Sequence, residues 1–219
     1  MISPRHYLLT GLLLFLALPV LAQDDVHNLA PEATAREGFP EGWVARLDRT
    51  GASLDDVHFT EAPDGYRIIT GPAGIFFRPE DQLSGTYKVE ALIMQNKPSD
   101  HPEAYGLFVG GRHLDTSRQD YLYFLIRQTG EYLVKHRAGA ETHTLVNWTK
   151  HEAINRPHGK GRALNTLAIW SEPDRVVFLV NGKEVTALKR VPMLNTDGIA
   201  GLRVNHNLDI TVREYIIDR

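Results

Sequence analysis

The chain has 219 residues, of which 42% are hydrophobic and 23% are charged, and its formal net charge is −3. This composition is typical of a globular protein with a sizeable core. The near-neutral charge argues against nucleic acid as a partner, because phosphate binding needs a concentrated basic surface. The sequence contains no cysteine, which excludes disulfides, thiol catalysis, Cys-ligated zinc and iron–sulfur clusters.

Residues 1–22 are typical of a secretory signal peptide. A weakly basic start at Arg5 precedes the apolar run 12–18, and the small residue Ala22 lies just before Gln23. The apolar run is short for a membrane span, so we expect cleavage and no stable membrane span afterwards. The mature chain is therefore predicted to be secreted or periplasmic.

Residues 23–42 are rich in Ala, Glu and Pro without a clear period, and we interpret them as a linker or N-terminal arm. Beyond them, apolar and polar residues alternate in short segments bounded by Gly, Pro, Asn and Asp, which is typical of strands. In chain order the predicted strands are 57–60, 65–70, 86–93, 105–109, 121–127, 131–136, 164–170, 176–180, 199–204 and 208–217. This pattern predicts one all-β domain over 43–219, a two-sheet antiparallel jelly roll or β-sandwich.

One hairpin is predicted in detail within RVVFLVNGKEVTAL, residues 175–188. Asn181-Gly182 favours a two-residue type I′ turn, because both residues readily take positive φ angles and the twist of that turn matches its flanking strands. Val176, Phe178 and Val180 then share one face, as a central strand requires.

The alternation also assigns side chains to faces. In YLYFLIR, residues 121–127, Leu122, Phe124 and Ile126 share one side, and the other side carries tyrosine and arginine. We interpret this as a packed face and a wet, ligand-binding face, since tyrosine rings stack on sugar C–H groups and planar polar groups pair with hydroxyls. The predicted ligand-binding residues are Tyr105, Arg112, Tyr121, Tyr123, Arg127, His136, Arg203 and Asn205.

Three segments carry a resemblance to a known fold family. NTLAIWSEPDRVVFLVNGKEV and TDGIAGLRVNHNLDITVREYIID resemble the strand–turn–strand run and the closing strands of concanavalin A-like, laminin-G-like jelly rolls. DYLYFLIRQTGEYLVKHRAGAETHTLVNWTKHEAI is similar to a hairpin of secreted members, among them 3-keto-disaccharide hydrolase-type domains and fructan-binding-type modules. The resemblance covers 105–217. It implies the same fold and, as our first hypothesis, carbohydrate recognition on the concave sheet.

Two other functions stay open. One is a sugar hydrolase similar to the 3-keto-disaccharide hydrolases, with His113, Asp115 and His136 as catalytic candidates and His113, His136 and His206 converging on one sheet. The other is a protein-binding envelope module of the laminin-G type. Hydrolysis by paired Glu residues is not expected, because Glu172-Pro173-Asp174 lies at a predicted turn without a second Glu after it.

No cofactor is expected, but the resemblance implies that a structural Ca²⁺ is an option. Asp115 and Asp209 are the candidate oxygen ligands for it. We predict Trp148 and Trp170 to pack in the core or at its rim rather than to serve as sugar platforms. The sequence thus favours a binding protein over an enzyme.

Overall fold

The computed structural model describes residues 33–192 and 194–219. Within that part of the chain the strands are β1 (Val44–Leu47), β2 (Val57–Ala62), β3 (Gly65–Thr70), β4 (Gly74–Leu83), β5 (Tyr87–Gln95), β6 (Ala104–Arg112), β7 (Asp120–Arg127), β8 (Glu131–Ala138), β9 (Glu141–Lys150), β10 (Ala163–Ser171), β11 (Arg175–Val180), β12 (Lys183–Lys189), β13 (Gly198–Val204) and β14 (Asp209–Asp218). A 3₁₀ turn, Leu54–Asp56, precedes β2.

The strands form two antiparallel sheets. The first, sheet A, has the order β1-β4-β13-β6-β7-β8-β9, and the second, sheet B, has the order β12-β11-β10-β5-β14-β3-β2. Neighbours within a sheet are often distant in sequence, as expected of a jelly roll. The predicted all-β, two-sheet architecture is confirmed.

The main core lies between the two sheets and contains the inward residues of both. Leu122, Phe124 and Ile126 of β7 belong to it, as the alternation predicts, and Phe124 packs on Phe178 of β11 with ring centroids 5.3 Å apart. Both rings are fully buried. Each such side chain contributes about 1.5–3 kcal/mol by leaving water.

The Asn181-Gly182 turn has the conformation that the sequence predicts, with φ of 51° and 77°. The side chain of Asn181 then links the turn to β10 and to the loop that precedes β10: its Oδ1 accepts from the Thr166 amide at 2.8 Å, and its Nδ2 donates to the Ala153 carbonyl at 2.7 Å and to Asn165 Oδ1 at 2.9 Å. Because Asn165 is 1% exposed, this network also satisfies a buried amide.

Residues 33–42 of the predicted arm contact the sandwich. Thr34 exchanges backbone hydrogen bonds with Ala45 of β1, and Phe39 packs on Phe59 with ring centroids 5.4 Å apart. The predicted signal peptide and residues 23–32 of the arm lie outside the described residues. Among the described residues, no helix is long and apolar enough to cross a membrane.

Candidate functional site: the outer face of sheet A

The side of sheet A that points away from sheet B, here called the outer face, is the candidate site. Cross-strand pairing places Tyr123 of β7 opposite Phe108 of β6 and Lys135 of β8, and cross-strand partners share a face. A second apolar cluster covers this face, with the buried members Ile75, Phe77, Ala104, Phe108, Leu114, Tyr121, Tyr123, Leu125 and Leu133. The sequence-based division of β7 into two faces is thus confirmed.

Aromatic rings form a continuous row across the outer face. Phe77 lies 6.1 Å from Phe108, Phe108 lies 5.3 Å from Tyr121, and Tyr121 lies 5.6 Å from Tyr123, measured between ring centroids. The rings are tilted or edge-to-face, which are the favourable arrangements for aromatic pairs. Burial raises the pKa of Tyr121 to about 12, so its hydroxyl stays protonated at neutral pH and can donate a hydrogen bond.

Arg203 of β13 lies beside this row and is held by Asp48. Its Nη1 and Nη2 donate to Oδ1 and Oδ2 of Asp48 at 2.6 and 2.5 Å, and its guanidinium lies 5.6 Å from the centroid of Tyr123. Burial opposes the charge of Asp48, but Arg203 outweighs burial and the pKa of Asp48 lies below its usual value. Burial likewise opposes the charge of Arg203, and Asp48 raises its pKa above the ordinary value.

A second arginine, Arg46 of β1, lies on the same face and is 2% exposed. Arg46 lies opposite Ile75 of β4, and Ile75 lies opposite Arg203 on the other side of that strand. The Nη1 of Arg46 donates to the Leu114 carbonyl at 2.6 Å, so the loop 113–119 between β6 and β7 folds back over the face. Arg46 is not among the residues predicted from the sequence, because VARL is too short for its alternation to show that Arg46 and Arg203 share a face.

The side of the outer face nearest β9 is half-exposed and polar. Arg127 stacks on Trp148 with 4.1 Å between its guanidinium carbon and the ring centroid, and it donates to Glu131 at 2.8 Å. Lys135 and Arg137 continue this row along β8, also half-exposed. We call these five residues the polar belt. Trp148 packs against the second apolar cluster, as predicted for a residue of the core or its rim, and its half-exposed ring also contacts Arg127.

The centre of the outer face is not wet, which corrects the sequence-based expectation. Tyr121, Tyr123 and Arg203 are only 1%, 6% and 7% exposed. The loop 113–119 contributes to this cover through Leu114, whose side chain packs into the same apolar cluster. Solvent therefore reaches the polar belt more freely than it reaches the tyrosines.

Tyr105 does not belong to this face, and its assignment there is wrong. It pairs with Val204 and Ile126, and all three lie in the main core between the sheets. Tyr105 is 1% exposed, and burial raises its pKa to about 12. Leu107 and Val109 lie on the same side of β6 as Tyr105, so the alternation of that strand already groups Tyr105 with apolar residues. A ligand on the outer face cannot reach Tyr105.

Arg112 and His136 also lie away from the outer face. His136 pairs with the core residue Leu122, and its Nε2 lies 3.3 Å from Asp120 Oδ1. Arg112 donates to the same oxygen at 2.5 Å. This cluster sits on the core-facing side of sheet A at one end of the sandwich, beside an apolar groove of about 490 Å³ lined in part by His143, Leu145 and Val191.

The predicted convergence of His113, His136 and His206 is not observed. His113 directly follows the end of β6. His206 follows the end of β13, and its Nδ1 lies 3.2 Å from Oε2 of Glu103, the residue just before the start of β6. The two strands are antiparallel, so the two histidines lie at opposite ends of the sheet. Asn205 lies next to His206 with a buried Oδ1 that has no hydrogen-bond partner among the described residues.

The two candidate metal ligands lie apart from each other. Asp115 is exposed on the loop 113–119, while Asp209 of β14 accepts from Arg67 at 3.1 and 2.9 Å and from Asn96 at 2.8 Å. Within 33–192 and 194–219, no group of three or more His, Asp or Glu side chains assembles as a metal site. The calcium hypothesis stays a prediction from the sequence.

Comparisons with solved structures identify the fold. The carbohydrate-binding module CBM66 from Bacillus subtilis matches with a TM-score of 0.60 at 10% identity, over 88% of this chain and 98% of that chain. A galectin-like protein of unknown function, also from Bacillus subtilis, matches with a TM-score of 0.58 at 9% identity, over 86% of this chain and 96% of that one.

An enzyme has the same fold. The GH16 protein of a Bacteroides ovatus mixed-linkage glucan locus, in complex with a G4G4G3G product, matches with a TM-score of 0.58 at 11% identity, over 84% of this chain and 98% of that one. No protein-family model matches the sequence, and no curated protein matches it. At these identities the likeness concerns the fold alone. The chain adopts a concanavalin A-like jelly roll, as its sequence motifs suggest.

Proposed function

We propose that the protein binds carbohydrate on the outer face of sheet A, along the polar belt. The observation that carries this proposal is the juxtaposition of Trp148, Arg127 and Glu131 beside the tyrosine row, with a guanidinium 4.1 Å from the indole ring centroid and 2.8 Å from the carboxylate. Sugars offer apolar C–H patches for rings and hydroxyls for charged, planar hydrogen-bonding groups. The belt presents both kinds of group side by side.

Pre-organisation supports binding at this face. Arg203 is fixed at both terminal nitrogens by Asp48, and Arg127 is fixed by Trp148 and Glu131. Side chains that are already ordered lose little conformational entropy when a ligand arrives, so more of the contact energy appears as affinity. Surface arginines without such partners would be poorer sugar ligands.

The comparisons support the proposal at the level of scaffold. A structure with the same fold is described as a carbohydrate-binding module, and another holds an oligosaccharide product. A shared fold does not transfer activity, because this scaffold hosts many functions. The argument for sugar binding therefore rests on the belt.

Binding is favoured over hydrolysis by the partners of the carboxylates on this face. Asp48 is engaged by Arg203 and Glu131 by Arg127, and the pKa of each lies below its usual value; Arg203 outweighs burial at Asp48, and hydrogen bonds from Arg127 and Thr129 lower the pKa of Glu131. A general acid needs the opposite shift, towards neutral pH. These two carboxylates suit hydrogen-bond acceptance.

We also propose that the mature protein works outside the cytoplasm, secreted or in the periplasm, after cleavage before Gln23. The motivation is the signal-peptide pattern of residues 1–22. Polymeric glycans are met in those compartments. Mass spectrometry of the exported protein tests this separately: a chain beginning at Gln23 is expected, and a retained Met1 contradicts it.

The test of sugar binding is a glycan array followed by calorimetry on every hit, using the chain from Gln23. Trp148→Ala and Arg127→Ala each remove one side chain of the polar belt. Trp170→Ala is the matched control, because Trp170 is 41% exposed and lies opposite Lys88 on the outward side of sheet B. We expect at least about a tenfold loss of affinity for each belt variant, from a loss of about 1.4 kcal/mol or more, and no change for the control.

Three results contradict the proposal. A protein that binds no glycan removes the function altogether, and loss of binding only in Trp170→Ala moves it to sheet B. Turnover of a 3-keto-glucoside that survives both belt substitutions favours the hydrolase hypothesis instead. Circular dichroism of each variant verifies that the sandwich is intact.

A further inference from the structure

Arg46 presents a buried donor edge that no described residue satisfies. Its Nη1 donates to the Leu114 carbonyl at 2.6 Å, while its Nε and Nη2 are buried and have no hydrogen-bond partner in the part of the chain that the structure describes. The side chain as a whole is 2% exposed. An unpaired buried polar group costs about 1–3 kcal/mol, and a charged one costs more, so this edge needs an explanation.

The groups around Arg46 do not offset the cost of burying its positive charge. Burial lowers the pKa of Arg46 below its ordinary value; Tyr121 opposes this shift, and the charge of Arg137 acts in the same direction as burial. The charge of Asp48 acts in the other direction, but both of its oxygens are engaged by Arg203. Asp115, which is exposed on the loop 113–119, acts in the same direction as Asp48 and is the smallest of these contributions. The floor of the outer face therefore carries an excess of positive charge.

The same molecule shows what such an edge binds. Arg67 donates through Nε and Nη2 to Asp209 at 3.1 and 2.9 Å, and Arg78 donates through Nε and Nη2 to Asp81 at 2.9 and 3.1 Å. In both pairs one carboxylate takes two parallel hydrogen bonds from one side of the guanidinium. The edge of Arg46 without a partner is this same side, and its fork geometry matches a carboxylate.

We propose that the Nε–Nη2 edge of Arg46 binds the carboxylate of an acidic sugar, so that the glycan held on the outer face is anionic and of the uronic acid class. This inference rests on the proposed sugar binding and adds its chemical class. In this arrangement the carboxylate lies on the side of the guanidinium away from Nη1, which donates to the Leu114 carbonyl. The ring and hydroxyls of the sugar then extend over the tyrosine row towards the polar belt.

The experiment compares two disaccharides of identical linkage, one ending in glucuronate and one in glucose, by calorimetry on the chain from Gln23. We expect the glucuronate to bind at least about tenfold more tightly, since a charge-assisted pair is worth about 1.5–3 kcal/mol. Arg46→Met is expected to abolish this preference, so that the two disaccharides bind with equal affinity. Arg46→Lys keeps the charge without the fork and is expected to retain only part of the preference. The preference should shrink with added salt.

Each other result overturns the inference. Equal affinity for both disaccharides, with loss of both in Trp148→Ala, leaves sugar binding intact and removes the acidic class. A sulfated disaccharide that binds more tightly than the glucuronate replaces the carboxylate by a sulfate. If no disaccharide and no array glycan binds, the proposed function fails and this inference fails with it.

The melting temperature of Arg46→Met tests whether Arg46 has a purely structural role. Replacing a buried, unpaired charge by an apolar side chain of similar length is expected to leave the melting temperature unchanged or to raise it. If Arg46 instead pairs with a carboxylate of residues 23–32, Arg46→Met lowers the melting temperature by several degrees while the glucuronate preference persists. Where Arg46→Met does not fold, Arg46→Lys carries the binding test.

Discussion

Arg203 and Asp48 lie 155 residues apart in sequence, yet Nη1 and Nη2 of the arginine meet Oδ1 and Oδ2 of the aspartate at 2.6 and 2.5 Å. The pair joins the end of β1 to β13 across β4, which lies between those strands in sheet A. It is enclosed, with side-chain exposures of 8% for Arg203 and 25% for Asp48. It therefore links the fold of sheet A to the proposed site.

Asp48→Ala is predicted to destabilise the protein by about 3 kcal/mol, the lower end of the range for removing one partner of a buried ion pair, because Asp48 is partly exposed. Denaturant unfolding measures the change. Glu152→Ala is the matched control: its pair with Lys183 spans 3.2 Å with exposures of 84% and 62%, and it should contribute under about 1 kcal/mol. Equal effects of the two substitutions would contradict the structural role of the buried pair.

The same pair predicts a dependence of stability on pH. The folded pKa of Asp48 lies below its unfolded value of about 3.9, so its stabilisation is fully present above that pH and is lost as pH falls through the folded pKa. The difference in unfolding free energy between the parent and Asp48→Asn should be constant from about pH 5 to 8 and should narrow below about pH 4. A difference that keeps its size down to about pH 2 would exclude this ionisation as the cause.

A third prediction concerns the hairpin. Gly182 has φ of 77°, and no atom lies within 4 Å of the point that a Cβ would occupy, so Gly182→Ala tests backbone conformation alone. We expect a loss of about 1 kcal/mol in unfolding free energy, the cost of placing a Cβ in the left-handed region. Asn181→Ala should cost more, about 2–3 kcal/mol, because it also removes the side-chain hydrogen bonds to the Thr166 amide, the Ala153 carbonyl and Asn165. Urea unfolding measures both losses. A larger loss for Asn181→Ala indicates that the side-chain hydrogen bonds contribute more than the backbone conformation, and a larger loss for Gly182→Ala indicates the reverse.

The sequence allows the fold to be predicted because alternation and turn chemistry act locally. Asn181-Gly182 specifies its own turn, and β7 sorts its side chains by period two. The strand β4, GIFFRPEDQL, escapes the same reasoning because Pro79 and acidic residues interrupt the alternation. The edge strand β9 escapes because most of its residues are exposed, so it carries little apolar signal.

The candidate site could be predicted only in part, because a face is assembled by pairing between distant strands. Alternation within β7 correctly grouped Tyr121, Tyr123 and Arg127. It could not relate β7 to β6, and so Tyr105 was placed on the wrong face. Arg46 reaches this site only through the pairing of β1 with β4, which no local pattern reveals.

The final prediction concerns one edge of the sandwich, where β8 of sheet A contacts β12 of sheet B. The hydroxyl of Tyr132 donates to the Val185 carbonyl at 3.0 Å, and its ring lies 6.3 Å from Phe124. Tyr132→Phe removes only the hydrogen bond and should cost about 1 kcal/mol of unfolding free energy. Tyr132→Ala also removes the ring and should cost about 3–5 kcal/mol, as for other large aromatic truncations in cores. Thermal and urea unfolding of both variants separates the contribution of the hydrogen bond from that of the ring. If Tyr132→Phe is as unstable as Tyr132→Ala, the hydrogen bond between the sheets, rather than ring packing, stabilises this edge.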